Sequence, residues 1–183
     1  MFRNLETALQ QYVRFSQEEL TTFLARLQII NVSKQEVVLK KGQVCRALYF
    51  VNKGALKQVD DNETIINLFA TNEWMMDIKS FTSQKATEYA VIAVDHCELF
   101  YLSVHDLHEL IQMSPVFFQL GKLMEAGHAN FSYQNNRLSP EEKYELLLKE
   151  KPQYIQLFSS KTIASFLGIA PETLSRVRRK IIS

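Results

Sequence analysis

Cysteine is scarce in this sequence: Cys45 and Cys97 are the only two in 183 residues, far apart and in no Cys-x-x-Cys or Cys/His spacing. That spacing supplies no ligand set for an iron–sulfur cluster or a zinc ion, and such sparing use suits a reducing cytoplasm. Charge of one sign is also missing. Twenty-one Lys and Arg face 20 Asp and Glu, a net charge of +1, so no global basicity advertises a polyanionic partner. No run approaches the roughly 18 apolar residues of a membrane span, and the opening "MFRNLETALQ" has no apolar core of an export signal; neither spanning nor export is expected. Nucleophile elbow, P-loop and Gly-rich dinucleotide fingerprint are absent, as is a His-x-His followed closely by Glu. His96 beside Cys97, and His105 with His108 at helical spacing, make no metal set. The expectation is a protein that is not an enzyme and carries neither metal nor cofactor.

What is present is an ordinary core-forming composition, 46% hydrophobic and 22% charged, enough for one sizeable core and a smaller second unit. The first segment reads as helical. In "SQEELTTFLARL", Ser16 and Glu19 have capping-box spacing, and Leu20, Phe23, Leu24 and Leu27 form an inward stripe. From Glu36 the period changes to short β-rich runs, "EVVL", "ALYFV", "ALKQV", "TIINLF", "YAVIAV" and "ELFYLS", punctuated by turn chemistry at Lys41-Gly42, Lys53-Gly54 and Asp60-Asp61-Asn62. Many short strands at near-regular spacing predict a small barrel or jelly roll.

After Ser103 a helix is expected, with Asp106 favouring its N-terminus. Pro115 opens a longer one in which Phe117, Leu120, Met124, Gly127, Phe131, Gln134 and Leu138 recur at steps of three and four. That heptad seam predicts a dimerising helix, with Gly127 admitting a partner backbone and Gln134 fixing register. The plainer alternative is a helix lying on the barrel. A further helix restarts at "SPEEKYELLLKE", with Ser139 as cap, Pro140 at its first position and Glu142 completing a capping box.

The chain closes on "SSKTIASFLGIAPETLSRVRRKIIS". Ile163, Ala164, Phe166 and Leu167 mark a short helix stopped by Gly168, and Pro171 opens a second where its missing N–H costs nothing. At 100° per residue Leu174, Val177 and Ile181 share the inward side of that second helix, while Glu172, Arg176 and Arg179 project from the other. Two short helices joined by a Gly turn, the second basic on its free face, describe a helix-turn-helix. The alternative is an amphipathic terminal helix with an ordinary solvated basic face.

This order of parts resembles the Crp/Fnr transcription regulators. The resemblance rests on "KKGQVCRALYFVNKGALKQV", a long helix, and "IASFLGIAPETLSRVRRK", and covers nearly the whole chain. It implies an α+β fold: an N-terminal jelly-roll-like β-roll sensor with flanking helices (residues 1–114), a long central dimerisation helix (115–138) and an all-α helix-turn-helix (139–183). The stretch "ETLSR" falls where that family reads bases, so Glu172, Thr173, Ser175, Arg176, Arg179 and Lys180 are the candidate DNA-binding residues. Phe117, Leu120, Met124, Gly127 and Phe131 are the candidate dimer interface. The partners implied are double-stranded DNA, a second copy of the chain and RNA polymerase.

Two departures modify this reading. The sequence ends at Ser183, leaving no room for a full β-hairpin wing, as in the shorter regulators of the Bacteroidetes branch. In cyclic-AMP-binding members a Gly-Glu pair and a later Arg hold ribose and phosphate. Here Met76 and Asp77 replace the pair, Thr87 stands at the Arg position, and Lys85 offers only an unforked charge. Cyclic AMP is therefore not the expected effector, whose identity stays open. Trp74, Met75, Met76, Asp77, Phe81, Lys85 and Thr87 are the candidate effector pocket, with plain core packing as the alternative for its apolar members. The competing function is a sensor or scaffold module whose terminal helix binds protein.

Overall fold

The computed structural model describes residues 2–123, 133 and 137–182. Among these, eight strands form two four-stranded antiparallel sheets. The strands are β1 (Gln28–Val32), β2 (Val37–Leu39), β3 (Ala47–Lys53), β4 (Ala55–Val59), β5 (Ile65–Ala70), β6 (Trp74–Met75), β7 (Ala90–Ala93) and β8 (Cys97–Ser103). The first sheet has the order β1-β8-β3-β6 and the second β2-β7-β4-β5. Register is set by pairs such as Phe50 with Phe100 and Leu56 with Ala93. The two sheets face each other as a jelly-roll-like β-roll, the architecture expected from the strand spacing.

Period-2 alternation in the second sheet explains how the rest of the chain attaches. Leu56, Phe69, Val91 and Ala93 point into the roll, where they join Phe50, Leu99 and Phe100 in the main core. Their neighbours Ala55, Val59, Leu68, Ala70 and Ile92 point outward into a second apolar cluster. That face is covered by the C-terminal helices α5 (Pro140–Glu150), α6 (Tyr154–Leu157), α7 (Ser160–Leu167) and α8 (Pro171–Ile182). These helices do not close a core by themselves; they share one with the roll.

On the other side, α1 (Arg3–Leu9) packs on β3 and α4 (Val104–Met113) on β8, with α2 (Gln17–Leu24) contributing Phe23 to the same core. The caps read from sequence are present. Ser16 and Ser139 each accept from the backbone N–H three residues on, and Glu19 and Glu142 return the bond. Ser103 accepts from Asp106 N at the start of α4.

Several expectations are corrected. Helix α2 ends at Leu24, short of the last stripe residue Leu27, which leads directly into β1, a strand not expected before Glu36. Strand β6 and α3 (Ile78–Ser83) also occupy a stretch with no periodic signal. The expected long helix begins, over Pro115–Lys122, as a 3-10 helix. Its three-residue turn breaks the seam geometry that a heptad requires. Phe117 and Leu120 are 2% exposed and packed in the roll's own core, Phe117 against the ring of Phe15 at 5.1 Å, so they are not available to a partner. Met124, Gly127, Phe131 and Gln134 lie outside the described residues.

Candidate nucleic-acid interface and effector cassette

The C-terminal helix pair is built by local chemistry. Ser159 caps α7 by accepting from Thr162 N at 3.1 Å. At the other end Gly168 adopts φ 66° and ψ 36°, the left-handed backbone that lets a helix stop. Its N–H donates to Ser165 O, and Ile169 N donates to Ala164 O, the paired bonds of a Schellman motif. A residue that sequence reasoning missed completes this turn: Lys143, only 5% exposed, donates from Nζ to Leu167 O at 2.9 Å. A lysine in an amphipathic pattern gives no hint that its tip is buried; only the crossing of α5 over α7 brings it there.

Helix α8 starts at Pro171, with Leu174 N bonding to Ala170 O. Leu174 and Val177 are buried and Ile181 packs against the same cluster. The opposite side presents Glu172, Ser175, Arg176 and Arg179, all exposed, along one shallow groove. Thr173 is half-buried and accepts a 3.3 Å bond from Arg176 Nη2. Lys180 is exposed and lies 3.5 Å from the Glu141 carboxylate. Arg178 is used differently: Nη1 donates to Ser160 Oγ at 2.7 Å, and the guanidinium lies 5.5 Å from the centre of the Tyr144 ring. It therefore ties α8 to α7 and α5, whereas Arg176, Arg179 and Lys180 remain a cationic surface with Glu172 at its N-terminal end.

The second candidate site splits. Met75, Met76 and Phe81 are buried in the main core, and Trp74, 6% exposed, packs on the same core while lining a cleft at its edge. Lys85 is exposed at the surface. Only Asp77 and Thr87 meet as polar partners. Asp77 caps α3, accepting from Ser80 N at 2.9 Å, and its other oxygen accepts from the Thr87 hydroxyl. Ser80 Oγ in turn accepts from Cys45 N and donates to Lys85 O. The stretch from Asp77 to Thr87 is thus stapled by its own side chains, and burial pushes the Cys45 thiol above its ordinary pKa, as it does for Cys97. Ser80 and Cys45 were not singled out from sequence, because short hydroxyl and thiol groups carry no periodic signature. Among the described residues no three His, Cys, Asp or Glu gather as a metal set, and no helix is long and apolar enough to cross a membrane.

An antiparallel β-roll followed by C-terminal helices defines a recognisable class. Residues 29–114 match the cyclic nucleotide-binding domain family. No curated protein matches the chain by sequence. Among solved structures, FixK2 from Bradyrhizobium japonicum aligns with a TM-score of 0.68 at 13% identity, covering 85% of this chain and 84% of that one. The c-di-GMP-responsive global regulator CLP of Xanthomonas campestris gives 0.61 at 20% identity, with 91% of each chain covered. The catabolite activator protein of Thermus thermophilus gives 0.54 at 19% identity, over 92% of this chain and 84% of that one. Residues 29–114 are thus similar to a cyclic nucleotide-binding domain, and over most of its length the chain shares the fold of these solved structures.

Proposed function

We propose that this protein is a sequence-specific DNA-binding transcription regulator of the Crp/Fnr type. The observation that carries the reading is the free face of α8. Glu172, Ser175, Arg176 and Arg179 stand exposed along one groove while Leu174 and Val177 anchor the helix behind them. A helix presented in this way enters the major groove with its N-terminal residues deepest. Arg176 then forks onto guanine O6 and N7, and Glu172 accepts from a cytosine amino group, a role its charge permits and phosphate contact does not. Arg179 and Lys180 hold phosphate. The regulator acts in the cytoplasm and is a homodimer on an inverted repeat, and RNA polymerase is its partner in transcription.

With Phe117 and Leu120 taken up internally, the dimer contact uses the exposed neighbours Phe118 and Met113, which are 66% and 60% exposed. The effector is not cyclic AMP: Thr87 supplies no guanidinium, and Asp77 is engaged by Thr87 and Ser80. Selection from random duplexes with the purified chain tests the reading. A palindromic consensus with half-sites about 10 base pairs apart supports it. Retention that is absent even at low salt rejects it in favour of a scaffold module whose terminal helix binds protein.

A further inference from the structure

One carboxylate joins the roll to the C-terminal helices. Glu73 lies in the turn between β5 and β6, and its backbone is pinned: Glu73 O accepts from Val51 N at 2.9 Å, and Asn72 N donates to Val51 O at 2.8 Å. Its side chain is 14% exposed, and both oxygens are occupied. Oε2 accepts from Ala70 N at 2.9 Å and from the Tyr154 hydroxyl at 2.7 Å. Oε1 accepts from Lys151 Nζ at 2.6 Å, with Gln153 Nε2 at 3.5 Å. Three of these four donors come from the α5–α6 corner, across the domain junction.

Tyr154 also lies 2.8 Å from Leu68 O. It has a single hydroxyl hydrogen for two acceptors, and the ionised carboxylate is the stronger one. The Tyr154 ring is fully buried and packs on Phe158 at 5.2 Å and Phe166 at 6.1 Å. Phe166 lies in α7, so the carboxylate reaches the helix pair through two rings. A second, weaker contact, Ile65 N to Ser165 Oγ at 3.1 Å, ties α7 to β5 from the other end. A cleft of about 580 Å³, lined by Thr71, Asn72, Glu73, Trp74, Lys151 and Gln153 among others, opens onto the Lys151 side of the junction.

We propose that Glu73 is a positioning residue: it fixes the orientation of α7 and α8 on the roll and thereby the separation of the two recognition helices in a dimer. Only that last clause rests on the DNA-binding reading. A rigidly held acceptor meeting three donors from the α5–α6 corner gives one preferred docking geometry, whereas apolar contacts by themselves tolerate sliding. The junction therefore has directional as well as hydrophobic content.

Hydrogen exchange of the full chain without DNA tests the first part. Glu73→Ala is expected to raise exchange across 154–167 by about tenfold or more, as expected when a buried charged acceptor is lost, while β3 and β8 keep wild-type protection. Glu73→Gln keeps an acceptor for Tyr154 but loses the charge facing Lys151, and is expected to fall between the two. Unchanged exchange in both variants, or an equal rise throughout the chain, overturns the assignment. On selected operators, wild type is expected to prefer one half-site spacing and Glu73→Ala to lose about tenfold of that preference over a one-base-pair change, because docking two helices on two half-sites is a geometric demand. A variant that keeps the preference overturns the positioning role. If wild type selects no operator, the DNA-binding reading fails, and the exchange result still decides whether Glu73 orients the helices.

Discussion

Adding one methyl group at two glycines separates backbone strain from steric contact. Gly168 and Gly54 both have positive φ, 66° and 95°. An added Cβ at Gly168 meets nothing nearer than Lys143 Nζ at 3.9 Å, so Gly168→Ala bears only the left-handed backbone penalty, about 1–2 kcal/mol. At Gly54 the same atom lies 2.6 Å from Cys97 Sγ and 2.7 Å from His96 O, and one of those is backbone that cannot swing aside. Gly54→Ala therefore adds an overpacking cost of about 1–3 kcal/mol to its strain. For a chain of this size about 1 kcal/mol moves the melting midpoint by about 2–4 °C. Thermal melting followed by circular dichroism should place Gly168→Ala a few degrees below wild type and Gly54→Ala further below it, by about 2–12 °C for the added contact. Adding Cys97→Ala to Gly54→Ala should recover only part of the loss, since the His96 carbonyl remains. Equal shifts for the two single variants would refute the contact argument, and a neutral Gly168→Ala would show that the turn does not need its left-handed residue.

The other expectations concern recognition, assembly and the effector. Arg176→Ala should cost about 1–3 kcal/mol on a selected operator and relax preference at one base pair, whereas Lys180→Ala should weaken all sequences alike and lower the salt slope by about one; site selection with each variant reads both, and an unchanged consensus for Arg176→Ala removes its base-reading role. Phe118→Asp should convert a dimer to a monomer in sedimentation at micromolar concentration with the melting midpoint kept, because that ring is exposed rather than built into the core; a dimer that persists moves the interface elsewhere. Cyclic AMP should leave thermal stability unchanged, since a ligand that does not bind the folded state cannot shift it; calorimetry showing a micromolar dissociation constant would defeat that expectation.

How much was legible in the sequence varies with the range of the interaction. Ser16 with Glu19, Ser139 with Glu142, and Gly168 before Pro171 act within four residues, and each is visible as a pattern because its partners are printed beside it. The apolar runs of β3, β5, β7 and β8 were likewise readable. Strand β1 was not, since Gln28–Val32 alternates weakly and becomes a strand through its pairing with β8, roughly seventy residues away. Of the central seam, Met124, Gly127, Phe131 and Gln134 lie outside the described residues, so only its start can be compared. Its first two apolar residues, Phe117 and Leu120, satisfy a three-residue period as well as a heptad, and Phe15 and the roll core captured them first. Lys143 and Glu73 were invisible because a charged side chain in a polar pattern reads as solvated until its donors and acceptors are seen around it.

The same distinction explains why the candidate interface and its support differ in character. The α8 face is specified by helical spacing alone: Leu174 and Val177 inward force Glu172, Ser175, Arg176 and Arg179 outward wherever the helix is placed. Where that face points is specified by contacts between α8 and other elements. It follows from Arg178 on Ser160 and Tyr144, from the Lys143 bond at the Gly turn, and from the second-sheet residues Ala55, Val59, Leu68 and Ala70 that complete the shared core. Because that core draws on both the roll and the helices, separating the two would expose both faces to water, a cost that grows with every apolar side chain uncovered. Docking is thus the stable condition of the chain, with α7 seated on β5 and α8 held through α7 and α5.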